Sequence, residues 1–193
     1  MSFPTITGFA GSFSTPSRTR ALVQGAVDRA SLRFGAVGQV FDLLDIGPSL
    51  GTAYRIDDLD DGARGIVRAI VEADAIVVAT PVFKGSYAGL FKHLFDLLDP
   101  SDLHGKPILL AATGGGDRHA LVIEHQLRSL FGFFEAHSLA TGLYASHRDF
   151  TAGELTDVAA LARLDRAVGQ FAPFLNANFG GRHPVHNHYS VAI

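Results

Sequence analysis

Two stretches of this chain, Ala75-Ile76-Val77-Val78-Ala79 and Ile108-Leu109-Leu110-Ala111-Ala112, are apolar at every position. A strand with one wet face alternates apolar and polar residues. A short unbroken aliphatic run reads instead as a strand covered on both faces. Such coverage implies helices above and below a mostly parallel sheet. The rest of the chain agrees. Ile6 to Ala10, Val37 to Leu43 and Leu139 to Ala145 read as further strands. Helical patterns fall at about Ser17 to Phe34, Ala63 to Glu72, Gly89 to Leu98, Asp117 to His137 and Thr151 to Leu175, and Pro48 to Asp61 reads as a loop. The alternation predicts an α/β fold: a doubly wound five-stranded parallel sheet, order 2-1-3-4-5, with helices on both faces. Residues 1–175 would form this domain. Residues 176–193, with two adjacent glycines, one proline and His183, His186 and His188, read as a C-terminal tail or arm.

Composition narrows the chemistry. The chain has no cysteine, which excludes disulfides, thiolate metal sites, iron–sulfur clusters and cysteine nucleophiles. Its net charge of −3 offers no basic field for nucleic acid. The same mild charge disfavours an acidic electron carrier. The start, Met1-Ser2-Phe3-Pro4-Thr5, lacks the features of a signal peptide, and no apolar run approaches the roughly 20 residues that span a bilayer. A cytoplasmic location is expected. The tail histidines have no second ligand cluster, so no metal site is expected.

The loops after the strands carry the functional signal. In an open parallel sheet, ligands bind at the carboxyl edge where the strand order reverses. The first loop there is Gly11-Ser12-Phe13-Ser14-Thr15-Pro16-Ser17-Arg18-Thr19. Amides at a helix start accept a phosphate, and Ser12, Ser17 and Thr19 add hydroxyls while Arg18 adds charge. Ser17 serves equally as a plain helix cap. No Gly-Lys-Ser/Thr ending and no G-x-G-x-x-G is present, which argues against a triphosphate or dinucleotide loop. The second loop, Thr80-Pro81-Val82-Phe83-Lys84-Gly85-Ser86-Tyr87, suits the polar edge of a flat ring, with Gly85 allowing close backbone approach. Phe83 fits either the ring or the core, and Lys84 either the pocket mouth or plain solvent. The third loop, Thr113-Gly114-Gly115-Gly116, would pass close to the same ring, with Asp117 as a cap for the next helix. A phosphate seat beside a ring seat suggests flavin mononucleotide (FMN), and so redox chemistry.

At these residues the chain resembles the NAD(P)H-dependent FMN reductases of the flavodoxin-like superfamily. The likeness is carried by Pro16-Ser17-Arg18-Thr19, Ala79 to Tyr87, Gly89 to Leu98 and Ala111 to Gly115. It is sharpest at Arg118-His119-Ala120-Leu121-Val122-Ile123-Glu124-His125-Gln126-Leu127-Arg128. That stretch is similar to the FMN reductase component of two-component alkanesulfonate and methanesulfonate monooxygenase systems. The resemblance covers the chain to about Asp149. It implies FMN phosphate near Ser12, Ser17, Arg18 and Thr19, with the ring against Pro81, Val82, Phe83, Lys84, Gly85, Ser86 and against Thr113, Gly114, Gly115, Gly116. Ser14 stands where many relatives carry an arginine. The resemblance also implies a π-type bulge at His125, with a role for that residue either in flavin exchange or simply at an interface. It implies a homodimer or homotetramer through the third and fourth helices. Phe91, Phe95, Phe131, Phe133 and Phe134 are many aromatics for helices that cover a small sheet, so some of them are expected exposed on the monomer and buried between subunits.

The implied reaction is hydride transfer from NADH or NADPH to FMN, with a flavin-dependent monooxygenase as partner. No obligate catalytic side chain is required, because the cofactor carries the chemistry. Alternatives are a reductase of quinones, azo dyes or metal oxyanions that retains its flavin, and a non-enzymatic flavodoxin-like electron carrier.

Overall fold

The computed structural model describes residues 3–176. The tail from 177 onward, with its three histidines, lies outside the described residues. The elements are β1 (Thr5–Ala10), α1 (Arg18–Phe34), β2 (Val37–Asp42), α2 (Leu43–Ile46), α3 (Asp61–Glu72), β3 (Ala75–Pro81), α4 (Gly89–Asp96), β4 (Pro107–Gly114), a π-turn (Ile123–Leu127), α5 (Arg128–Phe133), β5 (His137–Ser138), β6 (Leu143–Ser146), β7 (Phe150–Thr151), β8 (Glu154–Leu155), α6 (Val158–Gly169) and α7 (Ala172–Leu175). The strand order is β2-β1-β3-β4, and both β5 and β6 then pair with β4. All pairings in this sheet are parallel. It is the doubly wound, flavodoxin-like sheet expected from the apolar runs.

Every residue of β4 is buried, as is all of β3 except its last, Pro81. Alternate residues serve opposite faces. Ala75, Val77 and Ala79 pack with the buried sides of α1, α6 and α7. Ile76 and Val78 pack with those of α3, α4 and α5. Gly8 lets α1 approach closely, since a Cβ there would sit 2.4 Å from Val23 Cγ1. On the other face Phe91, Phe95 and Phe131 interlock, with centroids 5.0 Å and 4.9 Å apart, a spacing that favours tilted and edge-on rings.

Three elements differ from the sequence expectation. The fifth strand is not one run from Leu139 to Ala145 but two short pieces. Arg128 donates to the carbonyls of Leu139 and Ala140, at 2.9 and 2.8 Å, and Arg163 donates to that of Gly142 at 2.7 Å. These arginines take carbonyls that a continuous strand would commit to a ladder. The helix expected from Asp117 to His137 begins as a 3-10 turn (Asp117–His119), passes through the π-turn and ends at Phe133. The π-turn includes His125, where the family likeness placed a bulge. The last helix starts at Val158 rather than Thr151, because Phe150–Leu155 folds into the β7–β8 hairpin around Ala152 and Gly153, both at positive φ. Of the five phenylalanines among which some were expected at a subunit contact, Phe91, Phe95, Phe131 and Phe134 are buried within the chain itself, and Phe133 is exposed.

Candidate functional site

The chain leaves β1 for α1 on one face of the sheet and leaves β3 for α4 on the other. β1 and β3 are neighbours, so their carboxyl ends form the switch point where open sheets bind ligands. A cleft of about 360 Å³ opens there, within the roughly 300–1,000 Å³ usual for small-molecule sites.

The first loop forms one wall. The Gly11 amide donates to Ala79 O at 2.7 Å and the Leu43 amide to Ser12 O at 3.2 Å, which pins the loop to its neighbours. Ser12 is buried, and its Oγ accepts from the Ser14 amide at 3.3 Å. Ser17 is the N-cap of α1 and accepts from the Arg20 amide at 3.1 Å. It therefore caps the helix and lines the cleft at once. Capping satisfies one of the free amides of the first turn, and the preceding ones keep their donor capacity. Arg18 is exposed at the cleft. Arg20 turns away to Asp42 and Asp45, at 2.7 and 2.5 Å. Thr19 is buried, with its Oγ1 2.7 Å from Thr113 Oγ1.

Pro81, Val82 and Phe83 line the second wall. The Val82 amide donates to Thr113 O at 2.7 Å and so extends the β3–β4 pairing past Pro81. Buried Thr80 Oγ1 accepts from the Ala88 amide at 3.0 Å and closes the loop. Lys84, Gly85 and Ser86 do not line the cleft. They belong to a tight turn with Lys84 and Gly85 at its tip, closed at its base where Phe83 and Ser86 exchange backbone bonds of 2.9 and 3.1 Å. Lys84 and Gly85 have φ of 53° and 86°. Two successive positive φ values define the hairpin-type turn and explain the glycine. A Cβ at Gly85 would meet nothing within 4 Å, so dihedral freedom and not close approach is its reason.

Thr113, Gly114 and Gly115 form the third wall. A Cβ at Gly114 would stand 2.1 Å from the Tyr144 hydroxyl, which donates to Gly116 O at 2.5 Å. Burial first, and the Asp117 and Asp149 carboxylates second, hold the Tyr144 phenol above its ordinary pKa, so it remains a donor. Asp117 caps no helix. It pairs with Arg148 at 2.6 Å. Ser14 and Pro16 complete the rim of the first loop.

A fourth wall was not anticipated: Ala145, His147, Phe150, Ala152 and Gly153. Its signal was present, since β6 also ends at the carboxyl edge. His125 sits exposed on the π-turn and is not among the residues that line the cleft.

The donor set fits a mononucleotide. Hydroxyls, helix-start amides and one exposed guanidinium gather at one wall. Backbone, Phe83 and glycines gather at the walls beside it.

Comparisons with known proteins point the same way. Residues 4–151 match the family described as NADPH-dependent FMN reductase. The chain is 40% identical over 173 residues to the NADH-dependent FMN reductase SfnF of Pseudomonas fluorescens Pf0-1, covering 90% of this chain and 92% of that one. It is also 40% identical over 177 residues to the FMN reductase (NADPH) of Pseudomonas aeruginosa PAO1, covering 92% and 93%. The apo structure of the NADH:FMN oxidoreductase EmoB superposes with a TM-score of 0.82 at 28% identity, over 96% of this chain and 97% of that one. The two relatives at equal identity are named for different nicotinamides, so identity alone does not choose between NADH and NADPH. From its fold, its cleft and these matches, the chain belongs to the NADPH-dependent FMN reductase family.

Proposed function

We infer that this protein is an NAD(P)H:FMN oxidoreductase that supplies reduced FMN to a two-component monooxygenase acting on sulfonates. The observation that carries the reading is the convergence of three strand-end loops on one cleft at the switch point, in a chain of this family. FMN, when bound, would supply the redox chemistry, as an acceptor of hydride from a reduced nicotinamide.

The residues of the chain bind and orient. Ser12, Ser17, Thr19 and the first-turn amides of α1 hold the phosphate, and Arg18 closes over it from the exposed side. Pro81, Val82 and Phe83 support the ring on one side, with Thr113, Gly114 and Gly115 beside them. The Val82 and Phe83 amides are already bonded, to Thr113 O and Ser86 O, so any backbone donors that favour the electron-rich reduced form would come from the glycine loop after β4. Lys84, Gly85, Ser86 and Gly116 act from behind by setting the shape of these walls, and His125 takes its part in exchange from outside the cleft. One arginine in place of a charged cluster gives a moderate phosphate affinity, which suits a flavin that leaves after reduction.

Residues 1–175 make up the reductase unit. The enzyme works as a homodimer or homotetramer. Leu121 and Phe133, 63% and 69% exposed, provide apolar surface for that contact. No described helix is long and apolar enough to cross a membrane.

The test is steady-state oxidation of NADH and of NADPH with free FMN. Rates that saturate with added FMN are expected. No stimulation by FMN would overturn the reading.

A further inference from the structure

The π-turn costs helical regularity, and such turns gather at functional positions. In this chain it delivers Gln126 to the second loop. Gln126 Nε2 donates to Gly85 O at 3.3 Å, and its Oε1 accepts from Ser86 Oγ. These bonds join residues 40 and 41 positions apart in sequence. The turn they grip is strained at Lys84, a non-glycine residue at φ 53°. Within the turn, the described backbone bonds are the Phe83–Ser86 pair. Phe83, at its base, lines the cleft, while Ser86 across the base and Gly85 at the tip do not. Gln126 is half-buried, and His125 beside it is exposed. An added residue in a helix rotates all that follows, so the bulge sets which side chain meets the turn.

The geometry points to Gln126 as a positioning residue for the reductase: by gripping the Phe83–Ser86 turn, it preforms the wall that receives the flavin ring. This rests on the reading of the cleft as an FMN site. Gln126 touches no reacting atom. Its contribution is to spare the incoming ligand the ordering of a strained turn, which is affinity gained through preorganisation.

Two variants test it. Gln126→Met keeps the volume and loses both bonds; Ser86→Ala loses one. Three quantities are read: amide exchange at Phe83 and Ser86 in the protein without FMN, FMN dissociation constants by flavin fluorescence, and KM against kcat. For Gln126→Met the expected result is exchange about tenfold faster at those amides. FMN Kd and KM should rise roughly three- to tenfold, with kcat within about twofold. Ser86→Ala should fall between it and the unsubstituted protein, and the double variant should be no worse than Gln126→Met alone. Unchanged exchange overturns the proposal whatever the Kd, since the turn would then owe nothing to the grip. Faster exchange with an unchanged Kd also overturns it, since the grip would then be structural only. If Gln126→Met does not fold, Ser86→Ala decides: a raised Kd supports the proposal and an unchanged one overturns it. Failure of the unsubstituted protein to bind FMN is read first. It would sink the reductase reading and the positioning role with it.

Discussion

The hydroxyls of Thr19 and Thr113 lie 2.7 Å apart, and both residues are buried. This one bond joins the first turn of α1 to the end of β4, and so fixes the phosphate wall of the cleft relative to the ring wall. A buried hydroxyl that loses its partner costs about 1–3 kcal/mol, whereas replacing both partners by apolar groups of similar shape is nearly neutral. Thr19→Val and Thr113→Val should each destabilise by that amount, and the double variant should be less destabilised than the sum. Urea unfolding of the four proteins checks this. Strict additivity would show that the two hydroxyls do not depend on each other.

Gly114 is held by the Tyr144 hydroxyl, which stands 2.1 Å from where a Cβ would be. In Gly114→Ala the phenol must move and lose its bond to Gly116 O. The third loop then shifts into the cleft, and FMN affinity should fall by about tenfold or more, a displacement worth roughly 1.4 kcal/mol. Adding Tyr144→Phe removes the closest atom and should restore part of the loss, although the ring carbon that bore the hydroxyl still lies 3.1 Å away. Fluorescence titration of both variants reads this. An unimpaired Gly114→Ala would mean that the loop has room the structure does not show.

Acid should weaken the Arg20–Asp45 pair. Burial pushes the Asp45 carboxyl up, but the Arg20 guanidinium and the Asp42 amide outweigh it, and its pKa lies below the ordinary 3.8. A carboxyl with a depressed folded pKa binds fewer protons folded than unfolded. Its contribution is complete above about 3.8 and is lost as pH falls through the folded value. Arg20 and Asp45 are 37% and 38% exposed, so solvent limits the pair to about 0.5–1 kcal/mol. Arg20→Met also strands the buried Asp42 carboxylate, its partner at 2.7 Å, so it should be less stable than the unsubstituted protein by at least that amount at pH 7, and the gap should narrow below pH 3.8. A gap that stays constant to pH 2 would locate the role of Arg20 elsewhere.

The sheet and three of the cleft walls were legible because their signals are local. Unbroken aliphatic runs mark covered strands, and Gly, Ser and Pro mark the loops that follow. What escaped depends on distant partners. Arg128 and Arg163 divide the fifth strand by capturing carbonyls up to 21 residues away, and no local pattern announces that. Ala152 and Lys84 adopt positive φ without being glycine, which hid the β7–β8 hairpin and took Lys84 to Ser86 off the wall and into a turn. The π-turn was legible only through family likeness, since its residues are ordinary helix formers.

Arg18 separates a phosphate seat from a mere capped helix. It is exposed at the cleft rim, and no described side chain forms an ion pair with it. A structural arginine there would matter little to ligands. A phosphate contact would give a charge-assisted bond, worth about 1–2 kcal/mol after allowance for exposure, or roughly five- to thirtyfold in affinity. Arg18→Gln should weaken FMN by that factor and leave riboflavin, which lacks the phosphate, unaffected. The salt dependence of FMN binding should also flatten in the variant, because one screened charge has gone. Equal loss for FMN and riboflavin would show that the substitution disturbs the loop and not the phosphate, and no loss for either would move the phosphate away from the start of α1.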